Sequence, residues 1–259
     1  MLQESPLLSL IYYPNLANEF IRHPTIIQFD NVTVAFDERT ILNDISVELS
    51  ERRIAIIGAN GSGKSTFVRM INGLGTPDSG TVTVHGLNPQ TDGRDVRKKV
   101  GFVFSDAENQ ILMPTVYEDI EFSLRNIRVD GHRLSRSEKN DRVMAMLSRF
   151  GLDKRAQASP YRLSGGEKQM LALAAVLIGQ PLTIIADEPT TLLDLSNRLK
   201  LGRLFDSLPQ QLIVATHDLD FVSDYDRALW INGGHIRADG PANEVCRTYE
   251  EAMRARDQA

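Results

Sequence analysis

The chain has 259 residues and a formal net charge of −5, with 42% hydrophobic and 24% charged residues. That length allows one large domain, with or without a small subdomain, and the balance is ordinary for a soluble globular protein. It gives no global basic field for nucleic acid or anionic lipid, and the single cysteine, Cys246, excludes an intramolecular disulfide and a cysteine metal cluster.

One cysteine also fits a reducing compartment. The longest apolar run, "LALAAVLIG" at 171–179, falls well short of the ~18–20 residues that span a bilayer. Work at a membrane would therefore require other subunits to bring the chain there. The start, with "PLLSLIYY" after an acidic opening, lacks the basic front of a secretory signal. Residues 1–24 carry Pro6, Pro14 and Pro24 without a sustained period. They read as an extension, either a loosely held tail or a short interaction segment using Ile11, Tyr12 and Tyr13.

From Thr25 to Leu49 apolar and polar residues alternate, which predicts antiparallel strands turning near Asp37–Arg39. "RIAIIG" at 53–58 is nearly all apolar, as in a strand covered on both faces. "TFVRMINGL" has helical spacing and ends near Gly73. "GTVTVHG" at 80–86 is an alternating strand, and "KKVGFVF" at 98–104 an apolar one. Residues 116–162 turn helical and charged. "EKQMLALAAVLIGQ" is an apolar-rich helix stopped near Gly179–Pro181. "LTIIAD" and "QLIVATHD" are buried-type strands flanking the helical stretch 191–208. "RALWINGGHIRADG" reads as a hairpin turning at Asn232–Gly234. Strands alternating with helices imply an α/β fold with a mainly parallel sheet. The early strands add an antiparallel β layer, and residues 106–163 form a helical subdomain inserted in a domain running from 25 to 259.

Between the strand at 53–58 and the next helix stands "GANGSGKS", which fits G-x-x-x-x-G-K-[ST]. Glycine lets backbone approach where a side chain would collide. The N–H groups of Gly58, Ala59, Asn60, Gly61, Ser62 and Gly63 can then wrap a polyphosphate, with the helix aiming its positive end at the same anion. Lys64 supplies a full charge between β and γ phosphates, Ser65 a hydroxyl for Mg²⁺, and Thr66 a bond to a further phosphate oxygen. The bland alternative is a glycine-rich strand–helix turn that happens to carry a lysine. Asp187 and Glu188 end an apolar strand, the placement of a Mg²⁺ holder and of a carboxylate within reach of an attacking water. Taken alone they could be an acidic turn. "LSGGEKQ" at 163–169 places Ser164, Gly165, Gly166 and Glu167 at the start of a long helix, a second anion site or simply a tight helix entry.

In combination these pieces resemble the ATP-binding cassette (ABC) ATPases, from about Thr25 to Val245 and in the family's order. By that resemblance Phe36 stacks on adenine and Gly58–Thr66 is the phosphate loop of a P-loop NTPase core. Ser164–Glu167 belong to the signature, Asp194 to the interface loop, and His217 is the switch histidine. The resemblance implies two cassettes closing head to tail, each ATP held between one chain's phosphate loop and the other's signature. Glu188 is then general base or water-positioner, His217 holds the γ-phosphate, and Lys64, Mg²⁺ and the partner's Ser164 offset charge.

Residues 100–124 and "IRADGPANEV" look most like the ATPases of energy-coupling factor importers for vitamins and metal ions such as biotin, cobalt or nickel. That likeness implies a second cassette, either a copy or a paralogue, an integral membrane coupling subunit and a solute-binding membrane subunit. It implies a cytoplasmic site, peripheral on the inner face of the membrane, and no nucleic acid. Residues 105–117 would line the docking groove, with Glu108 a candidate partner for an arginine. Ser105 stands where a Mg²⁺-ligating glutamine is usual; its hydroxyl can ligate but reaches less far. Gln110 aligns with a different glutamine, and Met170 replaces a common arginine. A soluble cassette ATPase and a slow or non-hydrolysing regulatory cassette are the competing readings.

Overall fold

The computed structural model describes residues 26–37, 39–125, 127–129 and 131–257; the proposed 1–24 extension lies outside the described residues. In chain order the strands and helices begin with β1 (Ile27–Phe36), β2 (Arg39–Leu49), β3 (Arg53–Ile57), α1 (Lys64–Ile71), β4 (Ser79–Val84), α2 (Gly93–Lys99) and β5 (Val100–Val103). Next come α3 (Val116–Ser123), the two-residue strands β6 (Arg128–Val129) and β7 (His132–Arg133), α4 (Arg136–Arg149) and α5 (Gly165–Leu177). The chain continues through β8 (Thr183–Asp187), α6 (Leu195–Ser207), β9 (Gln211–Thr216) and α7 (Leu219–Val222). It ends with β10 (Arg227–Asn232), β11 (His235–Gly240) and α8 (Ala242–Asp257).

These elements fall into two compact units. The first comprises residues up to Val100, Leu182–Glu188 and Leu208 onward; the second comprises Gly101–Pro181 and Pro189–Ser207. In the first unit β10, β3, β9 and β8 lie side by side in parallel, and β11 pairs antiparallel with β10. Ile54 is paired with Ile213, which is in turn paired with Ile185, so aliphatic side chains run straight across the sheet. Every residue of β3, β8 and β9 is buried, which is why these strands read as continuous apolar runs.

The antiparallel layer, in the order β2-β1-β4, also belongs to this unit. Its turn sits at Asp37 in a left-handed conformation, with Phe36 opposite Arg39. Phe29 of β1 stacks on Phe67 of α1, ring centroids 4.3 Å apart, which ties that layer to the helix after the glycine loop.

In the second unit α3 packs on both α4 and α5 through Val116, Ile120, Val143, Met146, Leu147 and the buried face of α5. The architecture is the expected one: a mainly parallel sheet, an antiparallel layer and helices. Three local expectations change. Lys98 and Lys99 close α2 rather than opening a strand, because Asp95 in the first turn and three basic residues in the last suit the helix dipole. The helical text of 116–162 is interrupted by the β6–β7 hairpin, where Gly131 takes a positive φ. Past the hairpin at 235–240 the chain forms a further helix, α8, whose Tyr249 meets Trp230 edge-on.

Candidate functional site

Strand β3 delivers the chain to Gly58 in the buried core of the first unit. There φ is +149, and a Cβ would stand 2.3 Å from the Ile231 carbonyl oxygen, so only glycine fits. Ala59, Asn60 and Gly61 are exposed, Ser62 and Gly63 are buried, and α1 starts at Lys64. The Lys64 side chain is itself buried. Its Nζ donates to the carbonyls of Gly58 at 2.8 Å and Ala59 at 3.2 Å, and lies 3.4 Å from Glu188 Oε1. Ser65 and Thr66 follow, half-buried, in the first turn of the same helix.

Strand β8 ends at Asp187, a residue only 2% exposed. The Ser65 hydroxyl donates to Asp187 Oδ1 at 2.8 Å, and Arg69, one turn further along α1, lies 3.6 Å from Oδ2. Burial pushes the Asp187 carboxyl above the usual range, against the opposing pull of the Ser65 hydrogen bond and Arg69. Glu188 follows with φ +50, a left-handed backbone that costs a non-glycine residue about 1–3 kcal/mol. Its N–H donates to the Ala215 carbonyl at 2.7 Å, and Oε2 accepts from Thr216 Oγ1 at 3.1 Å and from the His217 N–H at 3.4 Å. His217 Nδ1 stands 2.9 Å from the same oxygen.

One unit thus brings together the glycine loop, Lys64, Ser65, Asp187, Glu188 and His217. Phe36 belongs to the same unit, at the end of β1 and 75% exposed. Two members of the cluster escaped the sequence reading, Thr216 and Arg69. Their signals were slight: a hydroxyl next to His217, and a base four residues after Ser65 on the same helix.

The Ser65 hydroxyl and the Asp187 carboxylate are hard oxygen donors in contact with each other beside the glycine loop. Among the described residues no group of three or more His, Cys, Asp or Glu could hold a metal by itself. The donor set therefore fits a cation that fills its remaining positions with phosphate oxygens and water, which is the habit of Mg²⁺.

The second unit holds Ser164–Glu167. Ser164 caps α5: its Oγ accepts from the Glu167 N–H at 3.3 Å, while Glu167 Oε2 accepts from the Ser164 N–H at 2.8 Å. Gly165 is exposed; Gly166 is buried so tightly that a Cβ would lie 2.4 Å from Asn197 Nδ2. Asp194 caps α6, accepting the Asn197 N–H at 2.8 Å. Glu108, on the 3-10 turn Ala107–Asn109, pairs with Lys168.

Ser105 is exposed at a bend after β5. Gln110 is occupied within the unit, its amide oxygen accepting the Phe104 N–H at 3.2 Å and its nitrogen donating to the Phe102 carbonyl at 3.3 Å.

This geometry has relatives. Residues 42–191 match the family model described as ABC transporter. The biotin transport ATP-binding protein BioM of Rhizobium etli is 41% identical over 225 residues, covering 87% of this chain and 98% of that protein. The energy-coupling factor transporter ATP-binding protein EcfA1 of Bacillus subtilis is 36% identical over 223 residues, covering 84% and 78%. Among solved structures, cbiO1 from Clostridium perfringens, part of the ABC transporter complex cbiONQ, superposes with a TM-score of 0.76. It is 28% identical and covers 90% of this chain and 94% of its own. The chain belongs to the ABC transporter family, as one of its ATP-binding ATPases.

Proposed function

We propose that this chain is the energising subunit of an energy-coupling factor importer for a vitamin or metal ion, hydrolysing Mg²⁺-bound ATP as half of a cassette dimer. The observation that carries the chemical part is the meeting of Lys64, Ser65, Asp187, Glu188 and His217 around one glycine loop. The relatives named for biotin and energy-coupling factor transport support the importer part.

The residues divide the work. The loop N–H groups and the α1 N-terminus hold the triphosphate. Lys64, parked on two loop carbonyls and beside Glu188, exchanges those contacts for phosphate oxygens. Ser65 and Asp187 would hold Mg²⁺, which would supply charge neutralisation to the triphosphate. Glu188 takes or orients the proton of the attacking water. It is itself held by the Thr216 hydroxyl and the His217 N–H, so its carboxylate points where its strained backbone sets it. His217 then contacts the γ-phosphate, and Ser164 of a neighbouring molecule closes the site. Catalysis of this kind is positioning and electrostatics more than covalent chemistry.

The second unit offers the docking surface for membrane subunits. Ile111, Leu112, Met113, Pro114 and Tyr161 line a groove of about 230 Å³, with Leu112 69% and Tyr161 88% exposed. Large apolar side chains left this open suit a partner's helix. Among the described residues no helix is long and apolar enough to cross a membrane. The test is affinity purification of the tagged chain from detergent-solubilised membranes. Co-purification of small multi-span membrane proteins, with ATP hydrolysis in the complex, is the expected result. A chain that stays in the soluble fraction and binds ribosomes or DNA overturns the reading.

A further inference from the structure

The chain writes one helix-start pattern twice. At α4, Ser135 Oγ accepts the Glu138 N–H at 3.3 Å and Glu138 Oε2 accepts the Ser135 N–H at 2.8 Å. At α5 the Ser164–Glu167 pair repeats both distances. The first is a helix cap in a charged segment. The second stands where the proposed far half of the nucleotide site lies, and it differs in two respects. Gly165 is exposed and carries no side chain, with Gly166 packed against Asn197, whereas Arg136 and Ser137 stand at the same two places in the other. Arg155, on the 3-10 turn Asp153–Arg155, also brings its Nε to 3.8 Å from Glu167 Oε1.

A helix N-terminus attracts a phosphate through its unpaired N–H groups and its positive dipole end. At α5 one of those donors, the Ser164 N–H, already serves the Glu167 carboxylate. That bond is the main reason the Glu167 carboxyl is held below its ordinary range. The group is therefore anionic at neutral pH. A phosphate oxygen arriving at Ser164 meets a like charge and competes with it for donors. Arg155 offers the displaced carboxylate an alternative partner.

We infer that Glu167 is an internal competitor for the γ-phosphate at the signature helix: its carboxylate moves from the Ser164 N–H toward Arg155 before a neighbouring molecule's triphosphate can be held there. This exchange sets the ATP concentration at which two chains pair, and it rests on the reading of Ser164–Gly166 as the second half of the site. Glu167 is thus a positioning residue that keeps the half-sites apart at low ATP.

The experiment measures ATP-dependent dimerisation by sedimentation velocity, using the full chain in a Glu188→Gln background that slows hydrolysis. Glu167→Gln preserves the reciprocal cap, since glutamine also serves that motif, and removes the charge. It should lower the ATP concentration at half-dimerisation about three- to fivefold, the worth of one exposed charge interaction. The advantage should shrink as salt screens the site. Arg155→Ala should raise the same concentration. Glu138→Gln, with an equivalent effect on helix capping, should leave it where it was.

An unchanged value in Glu167→Gln, or an equal shift in Glu138→Gln, overturns the inference while leaving the two-chain site standing. Absence of ATP-dependent pairing in the background and every variant overturns the site reading, and the competitor with it.

Discussion

Glu188→Gln separates chemistry from structure at the centre of the site. The substitution keeps the size of the side chain and removes its charge. Lys64, 3.4 Å away, retains the Gly58 and Ala59 carbonyls at 2.8 and 3.2 Å, so it is not left without acceptors. An amide oxygen can still accept from Thr216 or His217, but the bond falls from a charged to a neutral one, a difference of about 1 kcal/mol. Relief from burying a carboxylate that is only 15% exposed offsets part of that. The net cost is about 1 kcal/mol or less, which for a chain of this size lowers Tm by no more than about 4 °C.

Loss of a positioned base costs about 10²- to 10⁴-fold in rate. Phosphate release and thermal melting, measured on the same preparations, should therefore dissociate: turnover nearly gone, fold nearly untouched. Turnover within tenfold of the parent would refute the assignment of Glu188 as base. A collapse of Tm by well over ten degrees would show that the residue is chiefly structural.

Asp187→Asn should abolish Mg²⁺-dependent hydrolysis yet raise Tm without nucleotide, because the buried carboxylate gives way to a neutral group that still accepts the Ser65 hydroxyl; a lower Tm contradicts this. Ser105→Gln should raise hydrolysis and sharpen its Mg²⁺ dependence, and an unchanged rate counts against Ser105 as a weakened ligand. His85 should make the fold acid-sensitive. Burial, aided by Lys99, drops its pKa from 6.5 to about 4. Its Nε2 lies 3.0 Å from the Thr183 hydroxyl, and its Nδ1 has no partner among the described residues. The unfolded chain takes up a proton below about pH 6.5 and the native one does not, so stability present at neutral pH declines toward pH 4, by up to about 3 kcal/mol. His85→Asn, which also tolerates the left-handed backbone at this position, should flatten the difference in Tm between pH 7 and pH 4 relative to the parent.

The sheet was legible because burial on both faces writes an unbroken aliphatic run, as in "RIAIIG", "LTIIAD" and "QLIVAT". The glycine loop was legible because close backbone approach excludes side chains, as the 2.3 Å at Gly58 makes plain. Helix α8 was legible in principle: Ala242, Val245, Cys246 and Tyr249 recur at helical spacing. Lys98 and Lys99 read as part of the following strand because an apolar run draws its neighbours in, while the helix dipole that holds them is a property of the preceding segment. Other features have no local signature at all. The positive φ of Glu188 comes from the register of β8 against β9, which brings the Glu188 N–H to the Ala215 carbonyl. The approach of Arg69 to Asp187 joins residues more than a hundred positions apart.

The charges of the cluster bear on why one chain would not suffice. Lys64 and Arg69 face Asp187 and Glu188, two cations against two carboxylates, each pair within 3.6 Å. The quartet is balanced before any nucleotide arrives, so the side chains bring no surplus of positive charge with which to neutralise a triphosphate. What remains on this unit is the set of loop N–H dipoles and the end of α1, a short helix of 8 residues. A divalent cation held by Ser65 and Asp187 would make up part of the deficit. On the proposed pairing the rest comes from outside this unit, and a glycine-led helix N-terminus like that of α5 offers uncharged N–H donors once the Glu167 carboxylate has moved off the Ser164 N–H. On this argument pairing is a response to the charge the nucleotide brings. It predicts that adding a cation near the loop would weaken the dependence of hydrolysis on protein concentration, whereas removing Arg69 would deepen it.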